Sequence, residues 1–207
     1  MNCAHFGGRF YFCQRASTHR CKLRKHSLHY KIRPMYLLNT ARLQLRELTD
    51  SDEDALFTLT LLNDKDFHRF IGDRGVRTLQ DARDYIEKGP LAMYRRHGFG
   101  MYRVELKDGT PIGQCGLIRR DGLDDVDIGF AFLPAYRGQG YALEAARAVM
   151  AWGQKTVGLQ RIVAIAAPDN LDSIRLLEKL DLKREGLVTL PGGDEEILLM
   201  GWPAKSG

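Results

Sequence analysis

The sequence predicts an α/β (α+β) fold, a mixed central sheet with helices on its faces, formed as one domain by residues 35–207. Two patterns carry the prediction. Short runs of alternating or wholly apolar residues recur between Gly-, Pro- and Asp-rich turns, which marks strands. Longer segments with apolar residues every three or four positions, opened by Ser, Thr, Asp or Asn, mark helices. Their order is β-α-α-β-β-β-α-β-α-β-β, with no internal repeat.

Ala41–Leu48 alternates Leu43 and Leu45 with polar partners and reads as the first strand. Thr49, Asp50, Ser51 and Asp52 offer N-caps to a helix over Glu53–Leu62, ended by Asn63-Asp64. Phe67–Arg77 reads as a loop or short helix. Thr78-Leu79-Gln80-Asp81 resembles a capping box and opens a helix to Lys88; Pro90 is expected to separate a further helix that reaches His97. Phe99–Leu106 and Pro111–Arg119 form a hairpin through Lys107-Asp108-Gly109-Thr110, because Asp-Gly tolerates positive φ. Asp125–Leu133 follows the Asp121–Asp124 turn and is stopped by Pro134. Gly140–Val157 is helical, with Ala142, Ala145, Ala146, Val149 and Trp152 on one face. Arg161–Ala167 is apolar on both faces, as a central buried strand would be. Asp169–Leu180 is the last helix, with Ile174, Leu177 and Leu180 inward. Lys183–Leu190 and Glu196–Trp202 are the last strands, joined through Pro191-Gly192-Gly193.

Hydrophobic residues form 44% of the chain and charged residues 28%, which excludes a disordered, collagenous or coiled-coil protein. No apolar run reaches the roughly 18 residues that a transmembrane helix needs, so no membrane partner is expected. The net charge of +5 suggests an acidic partner such as nucleic acid. Its distribution argues the other way. Residues 1–34 hold eight Lys/Arg and no Asp or Glu, which leaves the other 173 residues at −3. The same head holds Cys3, Cys13, Cys21 and His5, His19, His26, His29. Four readings compete for it. Zinc binding is disfavoured because Cys13, Cys21, His26 and His29 lack a close Cys pair. A targeting peptide and a nucleic-acid arm would use the same charges. The reading preferred is a disordered extension, with Met35 as a candidate natural start. No metal site is expected.

Chemistry concentrates in Asp127–Ala142. A strand runs through Phe132 and Leu133 into a turn, Arg137-Gly138-Gln139-Gly140, and then into a helix that opens with Tyr141-Ala142. Unpaired N–H groups and the positive end of the dipole make such a helix start an anion site, and two glycines let a phosphate reach the backbone. No Gly-Lys-Ser/Thr follows, so it is not a Walker motif, and it lacks the third Gly of a dinucleotide fingerprint. Taken alone, the segment reads equally as a plain glycine turn.

Arg137-x-x-Gly140-x-Ala142 resembles the Arg/Gln-x-x-Gly-x-Gly/Ala motif of the GNAT N-acetyltransferases. Arg42-Leu43-Gln44-Leu45-Arg46 resembles the opening of that family's RimJ/RimL-type branch. Asp127-Ile128-Gly129-Phe130, Asp169-Asn170-x-x-Ser173 and Leu177-Glu178-Lys179-Leu180 resemble its later motifs. The resemblance implies a GNAT-like, mostly antiparallel sheet and an acetyl-CoA-dependent N-acetyltransferase. Its acceptor would be a primary amine, on a protein N-terminus or a small molecule. Arg137, Gly138, Gln139, Gly140, Tyr141 and Ala142 would bind the pyrophosphate of acetyl-CoA, the co-substrate. A backbone N–H around Phe132–Leu133 would stabilise the oxyanion. Asn170 would bond the pantetheine or orient its helix, and Ser173 would protonate or hydrogen-bond the leaving thiolate. Two departures stand out. Asp181-Leu182 replaces the expected Gly-Phe, and Leu177 occupies the place of a general-acid Tyr found in many members.

Asp127 is the first candidate for the base or proton relay, with Glu195 and Glu196 as rivals. Each reads also as an ordinary surface or strand carboxylate. Asn170 and Asp169 read also as helix caps, and Ser173 as a first-turn residue. Arg69, Arg74 and Arg77, with Phe67 and Phe70, lie on the loop that in this family lines the acceptor groove. Cys115 in an apolar strand reads as a packed small hydrophobe. With so few Cys in the folded part, a reducing, cytoplasmic compartment is expected, with a monomer or homodimer. A catalytically silent acyl-CoA-binding sensor or interaction module is the alternative.

Overall fold

The computed structural model describes residues 36–203. The basic head, Met35 and residues 204–207 lie outside them, and so do the four readings of the head. Eight strands form one sheet: β1 (Tyr36–Asn39), β2 (Leu43–Glu47), β3 (Met101–Leu106), β4 (Pro111–Ile118), β5 (Val126–Phe132), β6 (Ile162–Ala166), β7 (Lys183–Val188) and β8 (Ile197–Trp202). The order across the sheet is β1-β2-β3-β4-β5-β6-β8-β7. Every neighbouring pair is antiparallel except β5 and β6.

Strand alternation divides the sheet into two different faces. Leu43, Leu45, Val104, Ile112, Ile128, Ala164 and Met200 point to one side and make the main core. Two helices cover that side. From α5 (Tyr141–Trp152) come Ala145, Ala146 and Val149, and from α6 (Leu171–Glu178) come Ile174 and Leu177. The other side carries Arg46, Arg103, Gln114 and Ala131 in one register row. It is roofed by α1 (Asp52–Leu62), α2 (Lys65–Phe70) and α3 (Leu79–Ile86), whose Phe57, Leu61, Phe67, Ala82 and Ile86 form a second cluster.

Helix starts follow the expected caps. Ser51 Oγ accepts from Asp54 N–H, and Thr78 and Asp81 complete a capping box. Two details differ from the sequence expectation, and a third makes it more definite. β1 precedes the first expected strand; its four residues are too few to show alternation. The Phe67–Arg77 segment opens with α2, capped by Asp64, which accepts from Asp66 and Phe67 N–H. Pro90 does not separate two helices. A π turn over Glu87–Leu91 carries α3 directly into α4 (Ala92–His97). The wider turn accommodates a residue that lacks an N–H and would crowd the carbonyl of an α-helical turn.

Asp181, which stands where the resemblance predicts Gly, adopts φ 66° after α6. Leu182 N–H still reaches the Leu177 carbonyl at 3.1 Å, so the terminating turn forms. A left-handed conformation is unfavourable for a residue with a Cβ. Asp181→Gly is therefore expected to stabilise the fold by about 0.5–1 kcal/mol, a rise in Tm of about 1–4 °C in thermal unfolding.

Candidate active site

β5 and β6 pair only at Val126↔Ile162 and Asp127↔Val163. β5 then runs on to Phe132, still paired with β4, while β6 runs on to Ala166 beside β8. The two central strands therefore part after Asp127 and open a cleft in the sheet. Leu133 N–H donates to the Ile112 carbonyl at 2.9 Å. Antiparallel alternation then points the N–H groups of Phe130 and Phe132 away from β4 and into the cleft. This narrows the expected oxyanion donor. Leu133 N–H is engaged in the sheet, whereas the N–H of Phe132 faces the cleft, together with that of Phe130, which the sequence reading did not name.

A 3₁₀ turn over Pro134–Tyr136 leads from β5 to the glycine turn. Gly138 and Gly140 sit at φ 71° and 79°. The space where a Cβ of Gly138 would lie is open, and a Cβ on Gly140 would meet only Arg42 Nη2, at 3.4 Å. Gly140 is the N-cap of α5 and brings no capping side chain. The first-turn N–H groups of α5 thus face outward without side-chain partners, beside two residues that leave room for a guest. A diphosphate fits such a cradle.

Arg137 behaves differently from its neighbours. Its Nε donates to the Phe132 carbonyl at 2.8 Å, and its two terminal nitrogens bond Asp64 and Asp66 at the start of α2. Its guanidinium ties α2 to the end of β5. Asp64 is accordingly held below the usual carboxylate range: burial pushes upward, but the Arg137 bond and the N–H groups of Phe67 and Asp66 outweigh it. Gln139 bonds the Ala135 carbonyl through Nε2 at 2.8 Å, and its backbone carbonyl accepts from Arg42.

Asp127 lies where the strands part, 1% exposed. Its Oδ2 accepts from Arg120 Nε and Nη2 at 3.0 and 2.9 Å, while no hydrogen bond reaches Oδ1. Burial pushes its pKa up to about 6, against the pull of Arg120 and a weaker one from the Ile165 N–H. Glu195 and Glu196 are exposed on the β7–β8 connection. On the β6 side, Asn170 is the N-cap of α6, its Oδ1 accepting from Ser173 N–H at 3.2 Å. Ser173 is half-buried in the first turn. Leu177 is a core residue, 1% exposed, pointing away from any role in proton transfer. Arg69 on α2 reaches Asp169 at 3.0 Å and so joins the helix on one side of the sheet to the loop before α6. Cys115 is wholly buried, and burial raises its thiol pKa, as fits a packed hydrophobe. Among the described residues, no three His, Cys, Asp or Glu are grouped to hold a metal ion, and no helix is long and apolar enough to cross a membrane.

Residues 42–183 match the family model described as "Acetyltransferase (GNAT) domain". The chain belongs to the GNAT acetyltransferases. This GNAT domain is 32% identical to YnaD of Bacillus subtilis, described as an uncharacterized N-acetyltransferase; the match covers 76% of this chain and 90% of that protein. An acetyltransferase structure from Agrobacterium tumefaciens superposes with a TM-score of 0.68 at 25% identity, over 81% of this chain and 94% of the other. RimL, a ribosomal L7/L12 alpha-N-protein acetyltransferase solved with coenzyme A, shares the fold at a TM-score of 0.67 and 18% identity, over 81% and 97%. The expected GNAT fold and N-acetyltransferase class are therefore both borne out.

Proposed function

We propose that this GNAT domain moves an acetyl group from acetyl-CoA to a primary amine, on a protein N-terminus or a small molecule, by direct attack. The observation that carries the reading is the parting of β5 from β6 just upstream of a glycine turn and an uncapped helix start. Backbone donors in the cleft and backbone donors at the turn lie in series, as a long molecule with a thioester at one end and phosphates at the other requires. The N–H groups of Gly138–Ala142 would hold the diphosphate, with Gln139 in the turn. Acetyl-CoA supplies an activated acyl carbon. The Phe130 and Phe132 N–H groups would receive the negative charge on its oxygen.

Asp127 would accept the amine proton, directly or through one water. Its free Oδ1 and raised pKa suit a base that is ionised at neutral pH, and Arg120 holds the carboxylate in place. Ser173 in the first turn of α6 would give a hydrogen bond to the departing sulfur, and the Asn170 cap fixes that turn. RimL is an alpha-N-protein acetyltransferase of ribosomal L7/L12, which supports a peptide amine among the acceptors to test.

Calorimetry with acetyl-CoA, followed by thiol release over a panel of amines and peptides, tests the reading. Binding with turnover supports it. Binding without turnover on any acceptor would favour the silent acyl-CoA-binding alternative, and no binding contradicts both. The base assignment has its own test. Below pH 6, kcat/KM should fall tenfold per pH unit as Asp127 takes up its proton, and level off above. Asp127→Asn should lose that limb and about 10²–10⁴ of the rate. An unchanged profile in the variant would remove Asp127 from the role.

A further inference from the structure

Arg42, at the turn between β1 and β2, lies against the glycine turn although about a hundred residues separate them in sequence. Its backbone N–H and Nε donate to Glu144 Oε1 and Oε2 at 2.9 and 2.6 Å. Thr40 Oγ1 adds a third bond to Glu144 Oε1 at 2.6 Å. Nη1 donates to the Gln139 carbonyl at 2.9 Å, and the guanidinium lies over the Tyr141 ring, 4.4 Å from its centre. Glu144 is in the first turn of α5, so one side chain holds both the turn and the helix that follows it. Glu144 is held below the usual range: burial pushes its pKa up, but bonds from Thr40 and Arg42 outweigh it, and the clamp stays charged.

The third guanidinium nitrogen has a different position. Nη2 lies 3.4 Å from where a Gly140 Cβ would stand, on the side the glycine leaves open. The turn's own arginine is not available there, because Arg137 is bonded to Asp64, Asp66 and the Phe132 carbonyl. We infer that Arg42 is the cationic ligand of the donor's diphosphate and the positioning residue of the turn: Nε and Nη1 fix the turn, and Nη2 meets the anion. This rests on the function proposed above. The planar guanidinium suits both tasks at once, since its N–H groups radiate in fixed directions. A lysine could neutralise the phosphate but not span Glu144, Gln139 and the anion together.

The test is calorimetry with coenzyme A at several salt concentrations, on the wild type and on Arg42→Ala, Arg42→Gln and Arg42→Lys, with thermal unfolding of each. Arg42→Ala should lose at least tenfold in affinity at low salt. Its affinity should also vary less steeply with salt than the wild type's, because the screened ion pair is gone. Arg42→Lys should be intermediate in affinity and keep the steeper dependence. If Arg42→Ala does not fold, Arg42→Gln, which keeps a donor for Glu144 without the charge, takes its place with the same expectation. A loss of affinity with an unchanged salt dependence would mean that Arg42 only shapes the turn, and overturns the ligand role. Unchanged affinity overturns both roles. A folded wild type that binds no coenzyme A at all overturns the proposed function itself, and this inference with it.

Discussion

In Gly140→Val, affinity for coenzyme A should fall at least a hundredfold. The substitution places a branched side chain at the N-cap of α5, over the N–H groups that would bind the diphosphate. Losing about two charge-assisted hydrogen bonds, each roughly 1.5–3 kcal/mol, exceeds the 2.8 kcal/mol or so that a hundredfold represents. The backbone introduces a complication, because Gly140 has φ 79° and a β-branched residue there is strained. Gly158→Val separates the two effects. Gly158 has φ 82° beyond the other end of α5, with nothing within 4 Å of a Cβ. Both variants should lose stability to a similar degree, and Gly140→Val alone should lose the ligand. Equal affinities in two folded variants would show that the turn does not bind phosphate.

Arg103→Met should cost about 3–5 kcal/mol of stability, enough to lower Tm by roughly 10 °C. Arg46, Asp54, Arg103 and Glu105 lie between the sheet and α1 at 8, 0, 0 and 2% exposure. Arg46 grips Asp54 through both terminal nitrogens at 2.8 and 2.9 Å, and Glu105 through Nε at 2.9 Å. Arg103 reaches the same two carboxylates at 2.5 and 2.7 Å. Tyr36 and Thr49 satisfy further oxygens. The two buried cations and two buried anions balance, with the exposed Glu53 adding a further bond to Arg103, so removing Arg103 leaves a net negative charge buried. Removing Glu105 as well restores the balance, and Arg103→Met/Glu105→Leu should recover at least half of the loss. Burial pushes the Asp54 pKa up, but the bonds from Arg46 and Thr49 bring it below 3.8. Its contribution is therefore fully present above pH 3.8 and is lost as the pH falls through its folded value. The network matters to function because α1 leads into α2, where Asp64 and Asp66 hold Arg137 and the end of β5. A cost under 1 kcal/mol for the single variant would contradict this account of the polar face.

Local patterns made most of the fold legible. Alternation, wholly apolar runs and turn residues located seven strands, and caps at Ser51, Thr78 and Asn170 located three helix starts, because each signal lies within a few residues. The π turn at Pro90 was not legible, since nothing local distinguishes a proline that ends a helix from one a wider turn absorbs. The glycine turn was visible as a cradle, and its place in a family motif gave it a ligand. The buried charge network was invisible, because charged side chains such as Arg46, Asp54, Arg103 and Glu105 are buried only when paired, and the pairing joins residues distant in sequence. Arg42 and Glu144 were equally hidden as partners across about a hundred residues. The orientation of Arg137 followed from neither charge nor motif; it depends on where α2 ends up. Which N–H of Phe132–Leu133 faces the cleft was not legible either, because strand parity, which sends the Leu133 N–H to Ile112, is fixed only by register.

One molecule of donor is expected to span the β5–β6 cleft and the α5 start. A crystal structure of the protein grown with coenzyme A measures this directly. The expected result is the diphosphate on the N–H groups of Gly138–Ala142, the pantetheine arm between β5 and β6 beside Phe130 and Phe132, and the sulfur toward Asp127 and Ser173. Coenzyme A bound elsewhere on the molecule, or with its phosphates away from Gly140, would contradict it.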